Sequence, residues 1–138
     1  MEDPGPTIRR ILLVDDEQSF LEAQSEILRR FGYCVAPSPS PVAALELFNG
    51  NPREFDLIIT DEIMPGLTGS EMCRRMREVR PEIPVIIMTA GLELARTLKK
   101  AALYGVGQVL IKPVLKKELR RAIERAAGES FPKVSEAR

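Results

Sequence analysis

Three stretches of this chain, Ile11-Leu12-Leu13-Val14, Leu57-Ile58-Ile59 and Val85-Ile86-Ile87-Met88, are continuously apolar rather than alternating. A strand reads that way when both of its faces are covered, as in a parallel sheet flanked by helices. They belong to a series of short apolar runs, Ile8–Val14, Tyr33–Ala36, Phe55–Thr60, Pro84–Met88 and Gln108–Ile111, separated by amphipathic segments. The spacing within those segments is helical. Phe20, Gln24, Ile27 and Phe31 form a stripe between Glu17 and Phe31, widened by Leu21 and Leu28, with Gln24 its polar break and Gly32 at the stop position. Ser40 and Pro41 open a second helix that runs to Phe48, before Asn49-Gly50-Asn51-Pro52 breaks it. From Gly69 to Val79, Met72, Met76 and Val79 share one side. Leu94, Leu98 and Ala101 line a fourth helix ending near Gly105. Leu115, Leu119, Ala122, Ile123 and Ala126 line a fifth that stops at Gly128, and Pro37-Ser38-Pro39-Ser40-Pro41 reads as a loop.

Strand and helix thus alternate through the whole chain. That pattern predicts an α/β fold, a (βα)5 doubly wound five-stranded parallel sheet with right-handed crossovers. The flavodoxin-like strand order 2-1-3-4-5 is the natural one for five strands. At 138 residues the chain fits one domain. We place it at 8–127, with an N-terminal tail at 1–7 and a polar, frayed C-terminal tail at 128–138.

Bulk composition narrows the function mainly by exclusion. Twenty basic and 20 acidic residues cancel, so no general field draws nucleic acid or an anionic membrane. The acidic, turn-rich start has no secretory character, and no apolar run approaches the roughly 18 residues of a membrane span. Cys34 and Cys73 lack metal-ligand spacing and read as buried, reduced thiols of a cytoplasmic protein. The chain has no histidine. Histidine triads, histidine-ligated zinc and phosphoryl donation from its own imidazole are therefore ruled out.

In such sheets the working crevice lies beyond the carboxyl ends of the strands. Asp15-Asp16-Glu17 follow the first strand, Asp61-Glu62-Ile63-Met64-Pro65-Gly66 the third, Thr89-Ala90-Gly91 the fourth and Lys112-Pro113 the fifth. Each has a plainer explanation. Asp15 or Asp16 can cap a helix, and Asp61 can open a turn. Thr89 can simply end a strand, and Lys112 can be solvated. The set is more telling than its members, because every one of these strand ends would have to supply a fitting group by accident.

Three carboxylates in one crevice repel each other unless a cation or a raised pKa relieves them. Mg²⁺ is a hard ion that takes one or two carboxylates plus water and phosphate oxygens, and it neutralises charge on a transferring phosphoryl group. A carboxylate nucleophile then yields an acyl phosphate. Lys112 can pair with that phosphate as a point charge, and Thr89 can donate a hydroxyl hydrogen bond to it.

At these residues the sequence resembles the receiver domains of two-component response regulators. The resemblance runs from Ile8 to Ala127 through Val14-Asp15-Asp16-Glu17, Thr60-Asp61, Met64-Pro65-Gly66, Gly69, Met88-Thr89-Ala90 and Lys112-Pro113. It implies that Asp61 is the phosphoacceptor, charged from the phosphohistidine of a sensor histidine kinase or phosphotransfer protein. It further implies Mg²⁺ held by Asp16 and Asp61 directly, by Asp15 through water and by the Ile63 backbone carbonyl. The Glu62 and Ala90 amides would face the phosphoryl oxygens, Lys112-Pro113 would be cis, and the domain would catalyse only its own phosphorylation and dephosphorylation. Thr89 would act as a switch. Val109 stands where receivers usually carry the Tyr or Phe ring that moves with this threonine, so the expected readout passes through Thr89 and the Ala90–Leu94 loop.

The family's output surface is the fourth helix, fifth strand and fifth helix, a place for effector docking or a homodimer. Arg96, Lys99 and Lys100 lie on that helix opposite Leu94 and Leu98. Ile58-Ile59-Thr60-Asp61, Met64-Pro65-Gly66-Leu67-Thr68-Gly69 and Lys112-Pro113-Val114 resemble hybrid-kinase receivers, leaving open a stand-alone receiver, an excised one or a hybrid-kinase end. The alternative function is a degenerate receiver that binds partners without phosphate, but its expected mark, loss of a site residue, is missing. A haloacid dehalogenase-type phosphatase needs Asp-x-Asp after the first strand, which Asp15-Asp16-Glu17 does not supply. Flavin binding would want a hydroxyl- and glycine-rich loop there.

Overall fold

A computed structural model describes residues 7–128; the expected tails fall outside these residues except for Thr7 and Gly128. Five strands, β1 (Arg10–Val14), β2 (Cys34–Ser38), β3 (Leu57–Asp61), β4 (Val85–Thr89) and β5 (Gln108–Ile111), form one parallel sheet in the order 2-1-3-4-5. Five helices alternate with them: α1 (Gln18–Arg30), α2 (Pro41–Gly50), α3 (Gly69–Val79), α4 (Leu94–Tyr104) and α5 (Lys116–Ala127). A 3-10 turn, Gly91–Glu93, leads into α4.

The unbroken apolar runs are explained by two separate cores. Successive strand residues point to opposite faces. Leu12, Val14, Ile58, Val85 and Ile87 pack with Phe48 of α2, Met72 and Met76 of α3 and Ala101 of α4. Ile11, Leu13, Leu57, Ile59, Ile86 and Met88 pack on the other face with Leu21 and Leu28 of α1 and Leu119, Ala122, Ile123 and Ala126 of α5. Every residue of β3 and β4 is buried.

Local signals set the element ends. The side chain of Ser40 accepts from the Ala43 N–H at 3.1 Å, with Pro41 in the first turn of α2. Thr68 does the same for Glu71 at the start of α3. After α1, Gly32 adopts φ +105°, a left-handed conformation that glycine takes without strain. Its N–H donates to the Arg29 carbonyl, and that of Tyr33 to the Leu28 carbonyl, closing the C-terminal end of the helix.

Several expectations need correction. The first strand begins at Arg10 rather than Ile8, although Ile8 is buried. Pro37 and Ser38 belong to β2, paired with Leu13 and Val14, rather than to a loop. An edge strand tolerates a proline because its outer side needs no N–H. The deeply buried side of α1 is Leu21, Gln24, Ser25 and Leu28, so the stripe is rotated from the one drawn through Phe20 and Phe31. Val79, Leu98 and Leu115 are 53%, 48% and 58% exposed, and the inward residues of α4 are Thr97 and Ala101. In α1 and α4 a polar residue, Ser25 or Thr97, takes an inward place, whereas Val79 and Leu115 lie at the ends of their helices. Cys34 is exposed; only Cys73 is the buried thiol expected, and burial raises its pKa.

Candidate functional site

The sheet register delivers the site. Val14 is level with Thr60, and Asp61 with Met88, so Asp15 and Asp61 leave the sheet side by side at the carboxyl end. Carboxylate oxygens of Asp15, Asp16 and Asp61 lie within 4.8 Å of one another. From the far side, the Lys112 ammonium reaches Asp61 Oδ1 at 3.2 Å and Asp15 Oδ2 at 3.5 Å. Lys112-Pro113 is cis.

Burial gives these charges leverage. Asp15 is 1% exposed and Asp61 9%, whereas Asp16 is exposed at the mouth. Burial is the main reason the Asp61 pKa is raised; the Lys112 charge opposes the rise, the Asp15 charge adds to it, and a Glu62 N–H bond to Asp61 Oδ1 at 3.0 Å opposes it. A crowded carboxylate nest with one open member suits a hard divalent cation that keeps some of its water. Asp15 does not take the capping role allowed for it: the N-cap of α1 is Glu17, without a side-chain cap bond, and Asp15 Oδ1 accepts the Glu17 N–H at 2.9 Å just ahead of the helix.

The other expected residues are placed unevenly. The Glu62 N–H is shared between Asp61 Oδ1 and the Met88 carbonyl at 2.9 Å. Ile63 is 52% exposed on the rim, and Ala90 is exposed just before the 3-10 turn. Thr89 is fully buried, and its hydroxyl lies 3.1 Å from that of Thr97 in α4 rather than on the carboxylates. Val109 is partly buried, pairs with Ile87 and packs into the core beneath α4.

Four contributions were not foreseen. Glu62 was chosen for its backbone, yet its buried carboxylate accepts from the Ser70 N–H at 2.8 Å and from the Ser70 hydroxyl at 2.7 Å. An acid there suits the positive end of α3 and ties it to the loop after Asp61. Gly69 lets the same loop close: a Cβ there would collide with the Asp61 carbonyl oxygen. Thr97 was passed over although it lies one helical turn before the inward Ala101, the signal that could have found it. Phe20 was read only as a core residue; it packs at the margin of that core, and its ring also lies beside Lys112.

The model of the response regulator receiver domain matches residues 11–124. The chain belongs to that family. Among curated relatives, the two-component response regulator-like APRR5 of Arabidopsis thaliana is 31% identical over 89% of this receiver and 24% of its own length. The two-component response regulator ARR12 of the same plant is 30% identical over 95% of the receiver and 22% of its own length. The chain therefore spans under a quarter of these relatives. A receiver domain protein from Clostridium thermocellum superposes with a TM-score of 0.83 at 31% identity, covering 88% of this chain and 95% of its own. A CheY-like receiver from Methanospirillum hungatei gives 0.80 at 26% identity, covering 90% and 97%. Membership supports a phosphoacceptor role in two-component signalling and interaction with histidine kinases or phosphotransfer proteins. Among the described residues, no helix is long and apolar enough to cross a membrane.

Proposed function

We propose that this receiver takes a phosphoryl group on Asp61 from a kinase phosphohistidine and changes its interaction surface in response. The observation that carries the reading is the Asp61 carboxylate held 3.2 Å from Lys112 and clustered with Asp15 and Asp16. Asp16 and Asp61 would hold Mg²⁺, with Asp15 acting through water and the Ile63 carbonyl completing the protein ligands. When bound, the ion neutralises charge on the transferring phosphoryl group.

In the transfer, an Asp61 carboxylate oxygen forms a bond to phosphorus as the phosphorus–nitrogen bond of the donor breaks, and the electron pair leaves with the imidazole. The product is an acyl phosphate. Lys112 pairs with a phosphoryl oxygen while the Glu62 and Ala90 amides donate to others. No separate substrate is turned over; the domain catalyses only its own phosphorylation and hydrolysis.

The readout follows Thr89. Its hydroxyl leaves Thr97 for the phosphoryl group, which frees α4 from one of its buried polar ties. Val109 has no ring to carry the signal through β5, so α4 and the Ala90–Leu94 loop carry it. We place effector or homodimer docking on the α4–β5–α5 surface, where Arg96, Lys99, Leu98 and Leu103 are exposed. The setting is the cytoplasm, without direct contact to nucleic acid or membrane.

Incubation with a small phosphodonor and Mg²⁺, followed by intact mass, tests the chemistry. Wild type gains one phosphoryl group and Asp61→Asn gains none. A wild type that gains nothing moves the assignment to a phosphate-independent interaction module.

A further inference from the structure

Lys112 has a third neighbour besides its two carboxylates. Its ammonium lies 4.4 Å from the centroid of the Phe20 ring, within the range where a ring face attracts a cation. Phe20 sits in the first turn of α1, just beyond Asp15 and Asp16, so one connection supplies both the acidic pair and the ring. It is only half-buried, whereas the adjacent Leu21 is 3% exposed and belongs to the core. Phe20 also stands off the deeply buried side of α1. The ring packs at the margin of the core shared with α5 and also lies against the Lys112 ammonium, so it serves more than core packing.

A lysine ammonium is a mobile point charge on a four-carbon stem. Asp15 and Asp61 fix where that charge is attracted, but neither fixes its stem. Once Asp61 is phosphorylated its charge moves outward onto phosphoryl oxygens, while Asp15 remains as a competing anion. A group that keeps the ammonium on the Asp61 side is then needed.

We infer that Phe20 is a positioning residue for phosphoryl transfer, its ring holding the Lys112 ammonium where the phosphoryl oxygens of Asp61 arrive. The inference rests on the phosphoacceptor reading above. The ring acts through Lys112 and touches no reacting atom.

The test combines a resonance measurement with single-turnover phosphorylation by a small phosphodonor at saturating Mg²⁺. In wild type, the Lys112 ε-protons resonate upfield of the other lysines because they face a ring. Phe20→Leu removes that shift and slows phosphorylation about three- to tenfold, as loss of a partly exposed cation–π contact would. Phe20→Tyr restores both. In a Lys112→Ala background, Phe20→Leu has no further effect on the rate. The inference is overturned by unshifted Lys112 ε-protons in wild type, a measurement that needs no variant to fold. It is also overturned by a Phe20→Leu rate equal to wild type, or by the same slowing in the Lys112→Ala background. Those outcomes leave phosphorylation of Asp61 standing, whereas an unphosphorylated wild type strikes the reading beneath it.

Discussion

The centre of this sheet and its β5 edge are built to different standards of rigidity. Around Asp61 every residue of β3 is buried, Glu62 is locked to Ser70, and Gly69 lies against the Asp61 carbonyl. Toward the β5 edge, β5 has no fully buried residue and α4 buries only Thr97 and Ala101. Leu92, Leu98 and Leu103 are 98%, 48% and 76% exposed there. Regions that open or shift are drawn from those with few buried apolar contacts. The contrast therefore separates a half that must hold charges still from a half able to move when those charges change.

The largest way to break that contrast is Gly69→Ala. The added methyl must push α3 off the Asp61 carbonyl, so we expect about 3 kcal/mol of destabilisation in denaturant unfolding, at the upper end for an overpacked site. A loss below about 0.5 kcal/mol, the ordinary range for a surface change, would show that the loop is not held tightly.

Mg²⁺ should sharpen the same half. At ten times its dissociation constant it should raise the unfolding free energy by about 1.4 kcal/mol through mass action. A chelator should reverse that gain and Asp16→Asn should diminish it. An unfolding curve indifferent to Mg²⁺ would contradict the metal site.

Thr97→Val probes the looser half. Losing one buried hydroxyl partner should cost about 1 kcal/mol, measured by thermal unfolding, while phosphorylation of Asp61 proceeds at the wild-type rate. A large drop in that rate would place Thr97 in the chemistry rather than the readout.

The last effect is a sign rather than a size. Because burial raises the Asp61 pKa, the folded state holds this proton more tightly than the unfolded chain does. The resulting stability is present below the ordinary value of 3.8 and is lost as pH rises through the raised one. Asp61→Asn escapes that loss. Without divalent ions, its stability advantage over wild type should grow across this window and level off above it. An advantage that shrinks as pH rises would reverse the assigned cause.

The same division governs what could be read from the chain. The sheet was legible because Ile11–Val14, Leu57–Ile59 and Val85–Met88 are apolar on both faces, and the site because four of the five strands end in a group of definite chemistry. The helices misled where the inward residue is polar or small. Thr97 outranks Leu98, and Ser25 outranks Phe20 and Phe31, since inward direction depends on helix rotation against the sheet rather than on local hydropathy. Glu62 was visible only as a backbone donor, because its side-chain partner lies eight residues away across a folded loop. The Phe20–Lys112 and Thr89–Thr97 contacts are likewise tertiary.

The most direct test of the whole account is the amide spectrum of the Mg²⁺-loaded protein with and without a beryllofluoride phosphate mimic. The account predicts shifts at Asp61 and Glu62 that continue through Thr89, Ala90–Leu94 and Thr97, with β5 little changed. Shifts centred on Val109 would contradict the readout, and no shift at Asp61 would contradict the phosphoacceptor itself.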